Sequence, residues 1–372
     1  MSKPDDIMKT LLGVIGKNDE EATVKQFLDT GFPPLNHGSS ADWDGGFPVG
    51  RIVEVAGPPS SGKTAIATRA MAAAQAAGGV AGFMDHERSF SLVLAPRLGL
   101  DTTPGRLVYK KPKTFEESVG IFQLAVSTIR EKKLIKPDAP IVWVFDSLAA
   151  MVPQSVLFDS KGKERGSEDR NMNDNTALAR ATSAHFPAIA MIAEQHNVLV
   201  IFLNQIRTKI GVMFGDPRKT TGGDSPAFYF SQRLWLSASQ IKHPKDGIIG
   251  MEVTGKFVKN KVARPFQEAK WRFMFQPDGT GRFDAERSLV DFLEAEGCLE
   301  KAKPGFVNWE GKQISREALA RKIEAEGAAG FAKLKALLPA KYEPPVVAHV
   351  EGSEAELGIA AEHPGDPGHH DD

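Results

Sequence analysis

Residues 57–64 read Gly57-Pro58-Pro59-Ser60-Ser61-Gly62-Lys63-Thr64, and the mostly apolar run Ile52-Val53-Glu54-Val55-Ala56 leads directly into them. A strand, a Gly-bearing turn and then a helix form the context in which this spacing binds phosphate. Glycines let the backbone approach an anion closely, and the loop N–H groups point inward to cradle it. Lys63 adds a cation, and the Thr64 hydroxyl suits a Mg²⁺ ligand. The following segment, Ala65 to Ala77, is rich in alanine, and Gly78-Gly79 stops it. The helix so begun points its positive end at the phosphate. A fold that offers this arrangement is an α/β fold, and the implied ligand is a nucleoside triphosphate with Mg²⁺.

Bulk properties bound the rest. With 372 residues and 41% hydrophobic composition, the chain can bury one large core or two modest ones. A net charge of −1 carries no overall basic signature, so any nucleic-acid binding must use local patches. Cys298 is the only cysteine, which excludes an internal disulfide and a Cys-based zinc site and fits a reducing, cytoplasmic setting. The opening Met1-Ser2-Lys3-Pro4-Asp5-Asp6 has no apolar signal core, and no run reaches the ~18 apolar residues of a membrane span.

The chain divides by pattern. Residues 1–33 read as a short helical arm for oligomerisation, with Ile7, Leu11, Leu12 and Ile15 as its apolar side. The segment from Leu35 to Gly46 is rich in turn residues. Within 34–281, the buried runs 80–84, 141–145 and 198–203 alternate with helical stretches 115–131 and 176–196. Apolar strands separated by helices predict a mainly parallel central sheet covered on both faces. Later runs (233–237, 251–259, 271–275) alternate more and predict hairpin or edge strands. Residues 282–343 read as a small α+β C-terminal domain, with helical pattern at 289–296 and 316–326. From Pro344 to Asp372 there is no Lys or Arg, so an acidic, disordered tail is expected.

Further candidates sit at the ends of the apolar runs. Asp146 follows 141–145, where a carboxylate can hold Mg²⁺; Ser147 can add a hydroxyl. Glu87 follows 80–84 and can orient or deprotonate water, although Asp85 competes on spacing alone. His86 reads as a bystander. Asn204-Gln205 ends the run 198–203, and an amide there can sense a γ-phosphate. The next stretch, Ile206 to Gly223, has four cations (Arg207, Lys209, Arg218, Lys219) beside Ile210, Val212, Met213 and Phe214. Cations next to apolar side chains suit a surface that tracks a single nucleic-acid strand. Residues 156–175 form a second polar stretch with balanced charge; Met172 within it and Arg180 beyond it can reach nucleic acid.

These stretches together resemble the RecA recombinase family. The resemblance lies in Gly50–Glu54, Gly57–Thr64, Asp146–Ala150, Asn204–Gly215, Thr220–Gly223, Val258–Lys261 and Ala263–Phe266. It is dense over 46–281 and weaker through 289–301, and Asp29–Asn36 looks closer to phage recombinases of the UvsX kind. The resemblance implies a RecA-type core, a homo-oligomeric helical filament on single-stranded DNA, and pairing with homologous duplex DNA. It implies DNA-dependent hydrolysis of ATP to ADP and phosphate, with single-strand-binding and mediator proteins as further partners.

By motif position, Gly57, Pro58, Pro59, Ser60, Ser61, Gly62, Lys63 and Thr64 would hold the phosphates, and Thr64 and Asp146 the magnesium. Glu87 would activate water and Gln205 would couple nucleotide state to DNA. Lys259 and Lys261 would reach the next subunit's ATP. DNA would meet Arg180, Arg207, Lys209, Ile210, Gly211, Val212, Met213, Arg218, Lys219, Thr220, Thr221, Gly222 and Gly223. Three departures stand out. Leu94 replaces the family's adenine-stacking Tyr, Ser91 replaces a nearby acid, and the loop around 156–175 is several residues longer. A ring-forming helicase-like motor and an ATP-switched mediator without strand exchange of its own remain alternatives.

Overall fold

The computed structural model describes residues 4–15, 23–166, 174–208 and 218–340, which fall within one compact unit. The acidic tail, Met172 and the segment Lys209 to Met213 lie outside the described residues. In chain order the elements are α1 (Pro4–Ile15), β1 (Phe27–Leu28), α2 (Pro33–Ser40), β2 (Phe47–Pro48), β3 (Ile52–Gly57), α3 (Lys63–Ala76), β4 (Val80–Asp85), β5 (Leu107–Lys110) and α4 (Phe115–Glu131). There follow β6 (Ile141–Asp146), α5 (Gln154–Leu157), α6 (Asp174–Gln195), β7 (Val198–Thr208), β8 (Arg218–Thr220) and α7 (Ser225–Tyr229). The long strands β9 (Gln232–His243), β10 (Gly247–Asn260), β11 (Glu268–Phe275) and β12 (Gly281–Asp284) come next. The chain then runs through α8 (Ala285–Ala295), β13 (Lys301–Lys303), β14 (Phe306–Trp309), β15 (Lys312–Ser315), α9 (Arg316–Glu326) and α10 (Ala328–Lys335).

The main sheet has the order β12-β11-β10-β9-β3-β7-β6-β4-β5, with β8 paired to β7. Pairing is parallel from β9 through β5 and antiparallel among β9 to β12. Side chains on a strand alternate between faces, and both faces here are covered. Val53, Val142, Val144, Leu199, Ile201 and Leu203 pack with Ile66, Ala67, Ala70 and Met71 of α3. Ile52, Ile141, Trp143, Phe145, Val200 and Phe202 pack on the other side with Phe115, Val119 and Phe122 of α4 and Phe186 and Ile189 of α6. That double covering is why the central strands read as unbroken apolar runs.

The helices have local causes. Thr114 accepts a hydrogen bond from the Glu117 amide (3.0 Å) and so caps α4, whose apolar residues at 115, 119, 122, 126 and 129 form one buried stripe. The C-terminal elements add Leu289, Val290, Leu293, Leu319 and Ile323 to the same core cluster that contains α3. Among the described residues no helix is long and apolar enough to cross a membrane.

One segment differs from its reading. The turn-rich stretch from Leu35 contains α2, not a loop. Pro33 and Pro34 occupy the first helical positions, where a missing N–H costs nothing and φ is already set. Leu35 is fully buried, and Asn36 donates to the Trp43 carbonyl (3.1 Å). Tertiary burial outweighs the low helix propensity of Asn, Gly and Ser.

A buried charge lies in the middle of the sheet. Glu54 of β3 is fully buried; it accepts from Arg233 Nε of β9 (2.6 Å) and from Asn204 Nδ2 of β7 (2.9 Å). Removing Glu54 strands the partly buried Arg233 guanidinium. Glu54→Ala is expected to lower stability by about 3–5 kcal/mol in urea unfolding. Adding Arg233→Met should cost less than the sum of the two single changes, whereas strict additivity would show that the pair is not coupled.

Candidate nucleotide site and nucleic-acid face

Strand register brings the candidate residues together. In the β3/β7 ladder Gly57 stands opposite Gln205, and in the β4/β6 ladder Asp85 stands opposite Asp146. The C-terminal ends of four adjacent parallel strands therefore form one edge, where ligands of open α/β sheets bind. Residues 58–61 loop over this edge. Gly62 then enters α3 at φ +87°, a conformation that a Cβ would disfavour. No side chain caps α3, so its first N–H groups face the loop.

A cavity of ≈480 Å³ opens there, lined by Pro59, Ser60, Ser61, Gly62, Lys63, Thr64, Glu87, Asp146 and Gln205. Lys63 Nζ donates to the carbonyls of Gly57 (3.1 Å) and Pro58 (2.8 Å), which folds it back over the loop. Burial lowers its pKa, opposed by Glu87 and Asp146. The Ser61 hydroxyl is buried without a partner. A phosphate fits both observations: it offers Lys63 an anion and Ser61 an acceptor.

Thr64 Oγ1 donates to Asp146 Oδ2 (3.2 Å). Burial, reinforced by Glu87, pushes the Asp146 carboxyl up to about 7. A crowded buried carboxylate is a demand for positive charge. Thr64 and Asp146 are oxygen donors of the type Mg²⁺ prefers. Among the described residues no group of three or more His, Cys, Asp or Glu side chains is arranged to hold a metal. A magnesium ion here fits only with further ligands from a nucleotide and water.

The geometry separates Asp85 from Glu87. Asp85 is fully buried and accepts from Tyr109 Oη (2.8 Å) and the amides of Ser89 (3.2 Å) and Phe90 (3.3 Å). Its carboxylate is spent on structure. Glu87 is exposed at the cavity; Oε1 accepts a short hydrogen bond from Ser147 Oγ and a long one, 3.4 Å, from Gln205 Nε2. A carboxylate so placed can orient water. His86 reads as a bystander in sequence, yet its Nε2 lies 2.7 Å from Ser118 Oγ. Burial, with help from Arg88, drives its imidazole down to about 4, so it is neutral near pH 7.

A second cavity of ≈320 Å³ also borders Thr64, Ala65 and Thr68. Ser91, Leu94, Phe273, Phe275 and Thr280 line it. Phe90 also lines it, and of the three rings there (Phe90, Phe273 and Phe275) the Phe275 ring is the exposed one. Its distance in sequence, on β11, hides it from a motif search.

Lys259 and Lys261 line neither cavity. Lys259 Nζ donates to the carbonyls of Ala227 (2.6 Å) and Phe228 (3.3 Å), and Lys261 Nζ to Phe228 (3.4 Å). Burial, then Lys261 and Arg233, pulls Lys259 down to about 8. Phe228 itself is 73% exposed, so the two lysines belong to an outward face.

The candidate nucleic-acid residues cluster at the β7/β8 stem. Arg207 pairs with Lys219 in that ladder, Lys219 Nζ meets Asp224 (2.5 Å), and the Arg218 guanidinium lies over the Trp235 ring. Thr220 Oγ1 accepts from Arg233 (2.9 Å), and the Thr221 carbonyl from Asn204 (2.9 Å). Gly222 and Gly223 sit at φ +108° and +84°, and a Cβ on either would press on Leu148 or Ala179. Arg180 is exposed on α6, hydrogen-bonded to Thr176. The stem is thus tied to Glu54 and to the strand that carries Gln205.

A family model described as the RecA N-terminal domain matches residues 13–280. The chain belongs to the RecA family. Among its relatives, protein RecA of Corynebacterium efficiens is 36% identical over 327 residues, covering 84% of this chain and 78% of the relative. Protein RecA of Mycobacterium avium is 38% identical over 275 residues, covering 73% and 71%. Protein RecA 2 of Myxococcus xanthus is 36% identical over 272 residues, again covering 73% of this chain and 69% of the relative.

The Asp146 environment gives a pH prediction. Its folded-state pKa is raised, so between about pH 4 and about pH 7 the folded protein holds a proton that the unfolded chain has lost. This group's stabilising contribution therefore falls as pH rises through that window. A divalent cation at Asp146 must displace the proton. In the presence of ATP, the apparent Mg²⁺ affinity should strengthen from about pH 6 to about pH 8 more steeply than in Asp146→Asn. Equal slopes in calorimetric titrations would contradict this assignment.

Proposed function

We propose that this chain is an ATP-dependent recombination protein that assembles as a helical filament on single-stranded DNA and pairs it with homologous duplex. The observation that carries the reading is the position of Gln205. Its side chain reaches Glu87 at the nucleotide edge, while its own strand continues to Thr208 and pairs there with the cationic β8. One residue thus touches the hydrolytic carboxylate and the base of the DNA segment. Membership of the RecA family favours this activity over a helicase ring or a mediator that lacks strand exchange of its own.

In this reading Gly57 to Thr64 bind the ATP phosphates through loop N–H groups and the Lys63 ammonium. Thr64 and Asp146 would hold Mg²⁺, which when bound would supply charge neutralisation for the triphosphate. Glu87 orients the attacking water and takes up its proton. Ser147 and Gln205 hold that carboxylate in line. The adenine lies in the second cavity, stacked on Phe275 opposite Leu94. Lys259 and Lys261 of one subunit serve the neighbour's nucleotide, as charge-neutralising fingers. That role suits their outward face and the low pKa of Lys259, which is held in readiness for an anion.

Arg180, Arg207, Arg218, Lys219 and the Thr220–Gly223 turn grip DNA phosphates, together with Lys209 to Met213. We assign residues 1–33 to contact with a neighbouring subunit and 34–281 to nucleotide and DNA. Residues 282–343 form an accessory domain, and the acidic tail 344–372 competes with DNA for the cationic segments. Single-strand-binding and mediator proteins in a cytoplasmic setting complete the picture.

Hydrolysis measured with and without single-stranded DNA, followed by joint-molecule formation, tests the proposal. Lys63→Ala should abolish productive ATP binding. Glu87→Gln should bind ATP and DNA yet hydrolyse about 10²–10⁴-fold more slowly, leaving a trapped DNA complex. Wild-type turnover in Glu87→Gln would overturn its assignment. Phe275→Ala should raise KM for ATP about tenfold with little change in kcat, as loss of one stacking contact predicts. An unchanged KM would remove the base from that cavity.

A further inference from the structure

We propose that His86 is a positioning residue for Glu87, acting as a hydrogen-bonded strut between the turn after β4 and the first turn of α4. The proposal rests on the reading of Glu87 as the water-orienting carboxylate.

Glu87 has few side-chain supports of its own. It is exposed, and its contacts are Ser147 and the long hydrogen bond from Gln205. Its direction therefore depends on the backbone that carries it. That backbone is anchored on one side by β6, where the amides of His86 and Glu87 both donate to the Asp146 carbonyl (2.7 and 3.1 Å). The other side is held through the His86 ring, whose Nε2 lies 2.7 Å from Ser118 Oγ.

The direction of that hydrogen bond follows from its surroundings. Ser118 is fully buried, and its Oγ also lies 3.1 Å from the carbonyls of Thr114 and Phe115. Helix carbonyls only accept, whereas an imidazole nitrogen can donate, so the arrangement that leaves every contact of the hydroxyl oxygen favourable sends its proton to a carbonyl. The oxygen's lone pairs then face the imidazole, and His86 Nε2 carries the proton and donates. The brace is rigid at its far end. Thr114 caps α4, and Phe115, Val119 and Phe122 are buried against the sheet.

The rest of the turn is fixed downstream. Arg88, at φ +61°, donates to the carbonyls of Lys111 (3.1 Å) and Pro112 (3.2 Å), and Asp85 holds the amides of Ser89 and Phe90. Arg88 thus fixes the chain just after Glu87, and His86 is the side chain that fixes it just before. Successive side chains diverge here: His86 goes to α4 and Glu87 to the cavity. Loss of the strut lets the Glu87 backbone relax towards α4. The phosphate loop is untouched, so the effect belongs in turnover and not in ATP binding.

The test is steady-state ATP hydrolysis by the full chain with saturating single-stranded DNA, alongside thermal unfolding. His86→Ala should lower kcat by about tenfold while KM for ATP stays within about twofold, as a small misplacement of a catalytic group predicts. His86→Gln, whose amide can still donate to Ser118, should restore most of the loss. Ser118→Ala should lower kcat in the same direction, and the double variant should be no worse than His86→Ala. A kcat for His86→Ala within about twofold of wild type, a KM that rises in step, or multiplicative effects in the double variant would each overturn the strut.

If His86→Ala fails to fold, Ser118→Ala decides alone, since it removes a single buried oxygen: wild-type turnover there overturns the proposal. Glu87→Gln separates the two layers. Wild-type turnover in that variant removes the reading of Glu87 itself. Its loss, with His86→Ala unaffected, removes only the strut.

Discussion

Everything at the nucleotide edge depends on parallel strand register. Backbone ladders fix Gly57 opposite Gln205 and Asp85 opposite Asp146, and no side-chain contact is needed to bring these four positions together. A one-residue slip would send each side chain to the opposite face. Slippage is prevented by the core itself, because the strands between these residues are buried on both sides. The hydrophobic packing of the sheet and the geometry of the site are therefore the same constraint.

That edge is also electrostatically unfinished. Burial, reinforced by Glu87 and only partly offset by Thr64 and Lys63, raises the pKa of Asp146, which marks a place where added positive charge is stabilising. The contrast with Glu54 is instructive. Glu54 is equally buried but has Arg233 and Asn204 as partners, so its charge is complete. One carboxylate holds the sheet to the β7/β8 stem, and the other, in the proposed function, is kept for Mg²⁺. Through Asn204 and Arg233 the stem is joined to the strand that ends in the phosphate loop. In the proposed function, nucleotide and strand binding therefore act on one connected piece of structure.

Much of this was legible in the chain. The phosphate loop announces itself because its chemistry requires contiguous residues. The helix at 115–131 follows from Thr114 and a regular apolar stripe, and the unbroken runs at 141–145 and 198–203 follow from double burial. What local pattern cannot carry is a pairing between distant residues. Glu54 and Arg233 are separated by 179 positions, and His86 and Ser118 by 32. Asp85 and Glu87 are equivalent by spacing, and only the hydrogen bonds from Tyr109, Ser89 and Phe90 tell them apart. The helix α2 was hidden by its Gly and Ser content, since its stability comes from Leu35 and the neighbouring core. The outward face of Lys259 and Lys261 had no signature beyond family resemblance.

Coupling between the nucleotide edge and the β7/β8 stem is what the proposed function requires of this fold. Its most direct measurement is the affinity of the purified chain for a fluorescent oligothymidylate, by anisotropy, with a non-hydrolysable ATP analogue and with ADP. Tighter, cooperative binding in the triphosphate state, abolished when Gln205 is replaced by Ala, is the predicted result. Equal affinity in the two nucleotide states, with wild-type behaviour in Gln205→Ala, would contradict it.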